Sequence, residues 1–178
     1  MYRGVPMSAV RVLLSMVVAI ALLGVSPAAA QMIGEGEPFP SWSLKDHEGK
    51  TVSSESLRGR SYLLWYYPAA MTPGCTKEGQ ALRDHHAKFA AKGVEILGIS
   101  FDEPEKNAQF VAAENFPYRL VSDDGSLAVK VGAASSPGQG YTRRISYLVG
   151  PDGRVQKAYS SVNPSAHAQQ VLGDLPTS

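Results

Sequence analysis

Two apolar runs, residues 61–67 (SYLLWYY) and 94–101 (VEILGISF), constrain this chain more than any other feature. Each is too short for a helix. Neither shows the strict alternation of a strand with one wet face. Runs of this kind are the mark of strands covered on both sides. Between them, Thr72-Pro73 reads as a helix start, because Thr is a good N-cap and Pro fits the first helical position. Ala81, Leu82, His85, His86, Phe89 and Ala90 then recur at helical spacing up to a stop at Lys92-Gly93.

The rest of the chain continues the alternation. Residues 41–44 and Thr51-Val52 flank a turn and suggest a small hairpin, and residues 54–57 a single helical turn. A helix is expected over 104–115, with Phe110 and Val111 facing inward. A short strand follows at 119–122, then the Asp123-Asp124-Gly125 turn and a short helix over 126–131. Strands at 145–149 and 155–159 are joined by Gly150-Pro151-Asp152-Gly153, which is hairpin chemistry. A helix over 164–172 closes the chain. Strands alternating with helices, then a hairpin and a helix, predict an α/β fold with a mixed central sheet and helices on both faces. That order is compatible with a thioredoxin-like fold, and pattern alone does not separate it from other three-layer α/β folds.

The first thirty residues stand apart from this pattern. Arg3 and Arg11 give a basic start, residues 12–25 are apolar and uncharged, and Ala28 and Ala30 make an A-x-A pattern. This three-part layout predicts a secretory signal peptide over 1–30 and one domain over 31–178. The alternative, a membrane anchor, needs about 18 apolar residues or more, and this run is shorter. Cleavage after Ala30 removes two arginines and no acids, so the formal charge falls from +1 to −1. No basic stretch is long enough to track phosphates, so no nucleic-acid partner is expected. The expected location is outside the cytoplasm, in a bacterial periplasm, with no stable membrane association after cleavage.

An exported chain meets an oxidising compartment, where cysteines usually come in pairs. This one has a single cysteine, Cys75. It is either an inert buried residue or a thiol kept for its reactivity. Its position argues for reactivity. In the first turn of the expected helix, backbone N–H groups lack intrahelical partners and the helix dipole is positive, and both favour thiolate over thiol. Pro68 and Pro73 stiffen the connection that presents it. The Thr72 hydroxyl can cap the helix or bond a substrate beside the sulfur.

The spacing Pro68-x-x-x-Thr72-x-x-Cys75 resembles the active-site signature of peroxiredoxins. The surrounding YYPAAMTPGCTKEGQALRD, with GISFDEPEKNAQF and RRISYLVGPDGRV further on, is similar to their bacterioferritin-comigratory, or Q-type, branch. The resemblance spans most of residues 31–178 and implies a thioredoxin-like fold. It implies a thiol-dependent peroxidase acting on hydrogen peroxide and alkyl hydroperoxides, with no cofactor and no metal. It makes Cys75 the peroxidatic nucleophile and Arg144 the cation that stabilises the thiolate and the peroxide. Thr72 would orient the peroxide, Pro68 would shield the sulfur, and Glu78 would hold Arg144. Glu78 also has a plainer reading, as a favourable acid near a helix start. Of the two adjacent arginines, Arg143 is the expected surface residue, because neighbours on a strand face opposite ways. The branch implies a monomer or a weak dimer.

One departure matters. Many members of the branch carry a resolving cysteine five residues after the first, and here Gln80 stands in that place. No internal disulfide can form. A peroxidase of this sequence must use a one-cysteine cycle, with an external thiol, either a thioredoxin-like protein or a small thiol, as reductant.

Other readings are weaker. A thiol–disulfide oxidoreductase of the same fold needs C-x-x-C, and Thr72 occupies the first position. A non-enzymatic redox sensor or binding protein stays open. His85 and His86 are adjacent and do not chelate together, and His47 and His167 lie in separate regions, so all four read as surface or half-buried residues. Asp123-Asp124-Gly125 lacks the spaced acids of a calcium loop. Trp42 reads as a core or rim residue.

Overall fold

A computed structural model describes Met1 and residues 31–176. The expected signal segment lies outside the described residues. The elements are β1 (Ser43–Asp46), β2 (Thr51–Ser53), a 3-10 turn (Glu55–Leu57), β3 (Ser61–Tyr66), α1 (Pro73–Asp84) and α2 (His86–Ala91). They continue with β4 (Val94–Ser100), α3 (Pro104–Glu114), β5 (Arg119–Ser122), α4 (Ser126–Lys130), β6 (Ile145–Val149), β7 (Val155–Tyr159) and α5 (His167–Asp174).

The seven strands among the described residues form one mixed sheet in the order β2-β1-β5-β4-β3-β6-β7. The two apolar runs lie side by side: β3 and β4 are parallel, with Leu63 opposite Ile96 and Tyr66 opposite Ile99. Strand β5 extends the parallel part, and β6 runs antiparallel to β3 on its other side. Alternation along β3 sends Leu64 and Tyr66 to the face covered by α4, while Leu63 and Trp65 join the face covered by α1, α2, α3 and α5. Both faces being covered explains why β3 has no polar alternation.

The structure corrects two boundaries. The helix expected across residues 73–91 is broken at His85 (φ −105°, ψ 2°). The His85 ring donates through Nδ1 to the Ala81 carbonyl at 2.9 Å, the acceptor that a helical His85 backbone N–H would have used. The closing helix begins at His167 rather than Pro164, after a turn in which the Asn163 carbonyl accepts from the N–H groups of Ala166 and His167.

Candidate active site

The site forms where β3 ends. The β3–β6 register pairs Tyr66 with Ile145, so Arg144, the residue before β6, arrives beside the turn that leaves β3. That turn is tied down at several points. The Tyr67 carbonyl accepts from the Thr142 hydroxyl at 2.8 Å, and the Tyr67 hydroxyl donates to Asn107 Oδ1 at 2.5 Å. The Ala70 N–H donates to Asp102 Oδ2 at 2.7 Å. Met71 then takes a left-handed conformation (φ 63°), uncommon for a residue with a side chain, which turns the chain into α1.

Thr72 occupies the N-cap position in extended conformation but makes no side-chain cap. Its hydroxyl donates to the Ala69 carbonyl at 3.0 Å, so the capping expectation is corrected. Thr72 is exposed and Pro68 half-buried, on the same turn. Cys75 is the third residue of α1, and it is fully buried.

Arg144 joins this turn to the helix. Its Nη2 donates to Cys75 Sγ at 3.3 Å, and its Nη1 donates to Glu78 Oε2. Cys75 and Glu78 are three residues apart on α1, so both face the same guanidinium. Gly74 makes room for it: a Cβ there would sit 3.1 Å from Arg144 Nη2. Burial works against the Arg144 charge, but bonds to Cys75 and Glu78 hold its pKa above the ordinary value. Arg143 is exposed and turns away, donating to the Gly132 carbonyl.

Glu78 is not an exposed helix-start acid. It is fully buried, and burial pushes its carboxyl up to about 7 although Arg144 pulls the other way. Behind it lies His167, also fully buried, which corrects the surface or half-buried reading of that histidine. Burial disfavours the imidazolium and lowers His167 to about 4. Its Nε2 is 2.9 Å from Ser146 Oγ and 4.0 Å from Glu78 Oε1. His167, Ser146, Asp102 and Thr142 are the residues that sequence reasoning missed. No local motif marks them, because α5, β6 and the β4–α3 loop reach the site only through packing. Gln80 on α1 donates to Glu114 Oε2 at 2.8 Å and so fastens α1 to α3.

Residues 35–158 match the family described as AhpC/TSA. Peroxiredoxin Bcp of Escherichia coli strain K12 is 35% identical over 146 residues, covering 79% of this chain and 94% of that protein. A chloroplastic peroxiredoxin Q of Populus jackii is 34% identical over 142 residues, covering 79% of this chain and 67% of that protein. The crystal structure of peroxidoxin BcpB from Mycobacterium tuberculosis superposes with a TM-score of 0.75 at 31% identity, covering 80% of this chain and 96% of that one. The central sheet and its flanking helices are thus the thioredoxin-like fold of the peroxiredoxins. By sequence and by fold, this chain belongs to the AhpC/TSA family, among its peroxiredoxin Q and Bcp members.

Proposed function

We propose that Cys75 is the peroxidatic thiol and Arg144 the cation that serves it. The chain is a thiol-dependent peroxidase that takes hydroperoxides and a thiol reductant. The observation that carries the assignment is the bond from Arg144 Nη2 to Cys75 Sγ at 3.3 Å, in a chain with no second cysteine. A guanidinium at that distance favours the thiolate and leaves N–H groups to bond the peroxide as its O–O bond breaks.

The Cys75 thiolate attacks the terminal oxygen of ROOH. The S–O bond forms, the O–O bond breaks, and RO⁻ leaves to take a proton from solvent. The sulfur is now a sulfenic acid. A thiol R′SH attacks that sulfur, releasing water and forming a mixed disulfide. A second thiol releases the Cys75 thiol and a disulfide of the reductant. Thr72 and Pro68 line the approach, Thr72 offering its hydroxyl oxygen as an acceptor, since its proton goes to Ala69, and Pro68 an apolar screen. Glu78 holds Arg144.

The location and assembly state belong to the same proposal. The basic, apolar and A-x-A layout of residues 1–30 supports export to a bacterial periplasm and cleavage after Ala30, leaving a monomer or weak dimer. A mature N-terminus at Gln31 in a periplasmic fraction is the expected mass-spectrometric result.

The catalytic test is stopped-flow tryptophan fluorescence of the reduced protein with hydrogen peroxide, followed by mass spectrometry of Cys75. Oxidation to one sulfenic acid far faster than a free thiol is expected. Cys75→Ser should abolish peroxide consumption with an unchanged circular dichroism spectrum, and surviving turnover would sink the assignment. Oxidation at the free-thiol rate would return the chain to the sensing or binding reading.

A further inference from the structure

We propose that His167 is a positioning residue for the peroxide reaction, acting on Arg144 through Glu78. The proposal rests on the reading of Cys75 as the peroxide-reactive thiol.

Three fully buried polar side chains meet behind the arginine: Glu78 from α1, Ser146 from β6 and His167 from α5. Their surroundings are apolar, with Leu148, Ala168 and Val171 in the same core layer. Glu78 spends Oε2 on Arg144, and among the described residues its Oε1 has no hydrogen-bond partner. His167 has one nitrogen beside Ser146 Oγ, and among the described residues its Nδ1 makes no hydrogen bond. Buried polar atoms are usually hydrogen-bonded, and each exception calls for an account.

The geometry indicates which nitrogen carries the proton. A buried N–H without an acceptor is rarer than a buried lone pair without a donor. We therefore assign the His167 proton to Nε2, where it faces Ser146 Oγ at 2.9 Å and Glu78 Oε1 at 4.0 Å. A closure of roughly 1 Å turns the second approach into a hydrogen bond. That bond is worth most when Glu78 is ionised, since charge-assisted bonds are the stronger ones. His167 thus supplies the donor that holds an ionised Glu78 in this apolar layer.

The consequence reaches the sulfur through the guanidinium. Nη1 is fixed by Glu78 and Nη2 is aimed at Cys75. An ionised Glu78 grips Arg144 and sets the plane in which its N–H groups meet a peroxide. A neutral Glu78 grips it less, although it leaves more of the positive charge to the thiolate. Orientation and charge therefore respond in opposite senses to the same proton. The groups that face the pair are Arg144, Cys75 on α1, Tyr118 beside β5, which donates to the Gly79 carbonyl, and Tyr159 on β7, whose ring stands edge-on to His167 at 5.2 Å. With Glu78 at about 7 and His167 at about 4, the ionised acid and the neutral imidazole coexist above neutral pH.

The test compares two reactions of Cys75 in the full chain at pH 8. Alkylation by iodoacetamide reports the charge at the sulfur and needs no peroxide. Oxidation by hydrogen peroxide also needs the guanidinium aimed. In His167→Leu, peroxide oxidation should slow on the order of ten-fold, the scale of a modest misplacement, while alkylation holds or rises. His167→Gln, which keeps an N–H donor, should restore most of the loss. Both rates falling together, or neither changing in a chain with unaltered circular dichroism, would overturn the proposal. If the leucine variant does not fold, Ser146→Ala takes its place. It removes the group that aims the imidazole and should give the same split at smaller size, and equal rates there would refute the role. The underlying reading fails separately, by slow peroxide oxidation of the unaltered chain.

Discussion

Two strand-to-helix junctions in this molecule are built alike and do different things. Strands β3 and β4 are parallel neighbours, and each is followed by a turn and a helix that starts with proline. Neither N-cap, Thr72 or Glu103, bonds its helix through its side chain, and both are extended. The third helical residue is Cys75 at one junction and Lys106 at the other. Cys75 is buried under Arg144. Lys106 is half-exposed and pairs with Asp102 at 2.6 Å. A helix N-terminus favours negative charge at both places, yet only one has a cation opposite. The junctions differ because β6 runs antiparallel beside β3 and delivers Arg144 to its end, while β4 has the parallel β5 on its free side. A helix start is a modest electrostatic device. In the function proposed above, it is the arginine delivered just ahead of β6 that makes this helix start reactive.

The most demanding test moves the thiol. Lys106→Cys in a Cys75→Ser background puts a sulfur at the equivalent helical position, facing the Asp102 carboxylate instead of a guanidinium. Hydrogen peroxide should oxidise it no faster than a free thiol. Fast oxidation there would show that the helix start suffices and that Arg144 does not matter. The converse change, Arg144→Ala, keeps the helix and removes the cation. It should slow peroxide oxidation of Cys75 roughly 100-fold, the scale of losing one oxyanion donor, whereas Arg143→Ala should leave the rate within about two-fold.

A third test probes the buried layer that only the first junction has. Glu78 is raised from 4.5 to about 7, so its native state holds a proton that the unfolded chain has lost between those values. Its contribution is present below pH 4.5 and fades as pH rises through 7. His167 is lowered from 6.5 to about 4, so the unfolded chain holds the extra proton. Its contribution is present above pH 6.5 and fades as pH falls through 4. The two slopes oppose each other where the windows overlap, so the pair together adds little pH dependence to urea melts of the unaltered chain from 4.5 to 6.5. Glu78→Gln should make stability rise with pH across 4 to 6.5, and His167→Gln should make it fall across 4.5 to 7. Each excursion is bounded at on the order of 3 kcal/mol. Slopes of the wrong sign would contradict the assigned charge states. The smallest effect belongs to the second junction: Lys106→Ala breaks a half-exposed pair, costing under about 1 kcal/mol in a urea melt and leaving peroxide oxidation unchanged.

Much of the fold was legible in the sequence because its signals are local. The apolar runs at β3 and β4, the Thr72-Pro73 helix start and the glycine-rich turn between β6 and β7 each depend on neighbours in the chain. The choice of Arg144 over Arg143 was legible through the family resemblance rather than through strand alternation, since both residues precede β6; Arg143 is exposed and Arg144 half-buried. Three features were not. The break at His85 comes from a side chain taking a helical carbonyl, which periodicity does not register. Thr72 has the sequence of a cap and bonds Ala69 instead, because the left-handed Met71 bends the turn back on itself. His167 sits at the start of a helix 89 residues after Glu78 in number, and nothing near it announces a buried acid as its neighbour.

The sequence by itself determined the order of elements, the single thiol at a helix start and, through the absence of any second cysteine, the need for an external reductant. These are properties of residues and of short-range periodicity. Only the tertiary structure decided what the thiol faces. The antiparallel pairing of β6 with β3 carries Arg144 across 69 positions to Cys75. The packing of α5 on α1 encloses Glu78 with His167. Charge at close range in a water-poor layer sets reactivity, and distance in space, not separation along the chain, decides which charges meet.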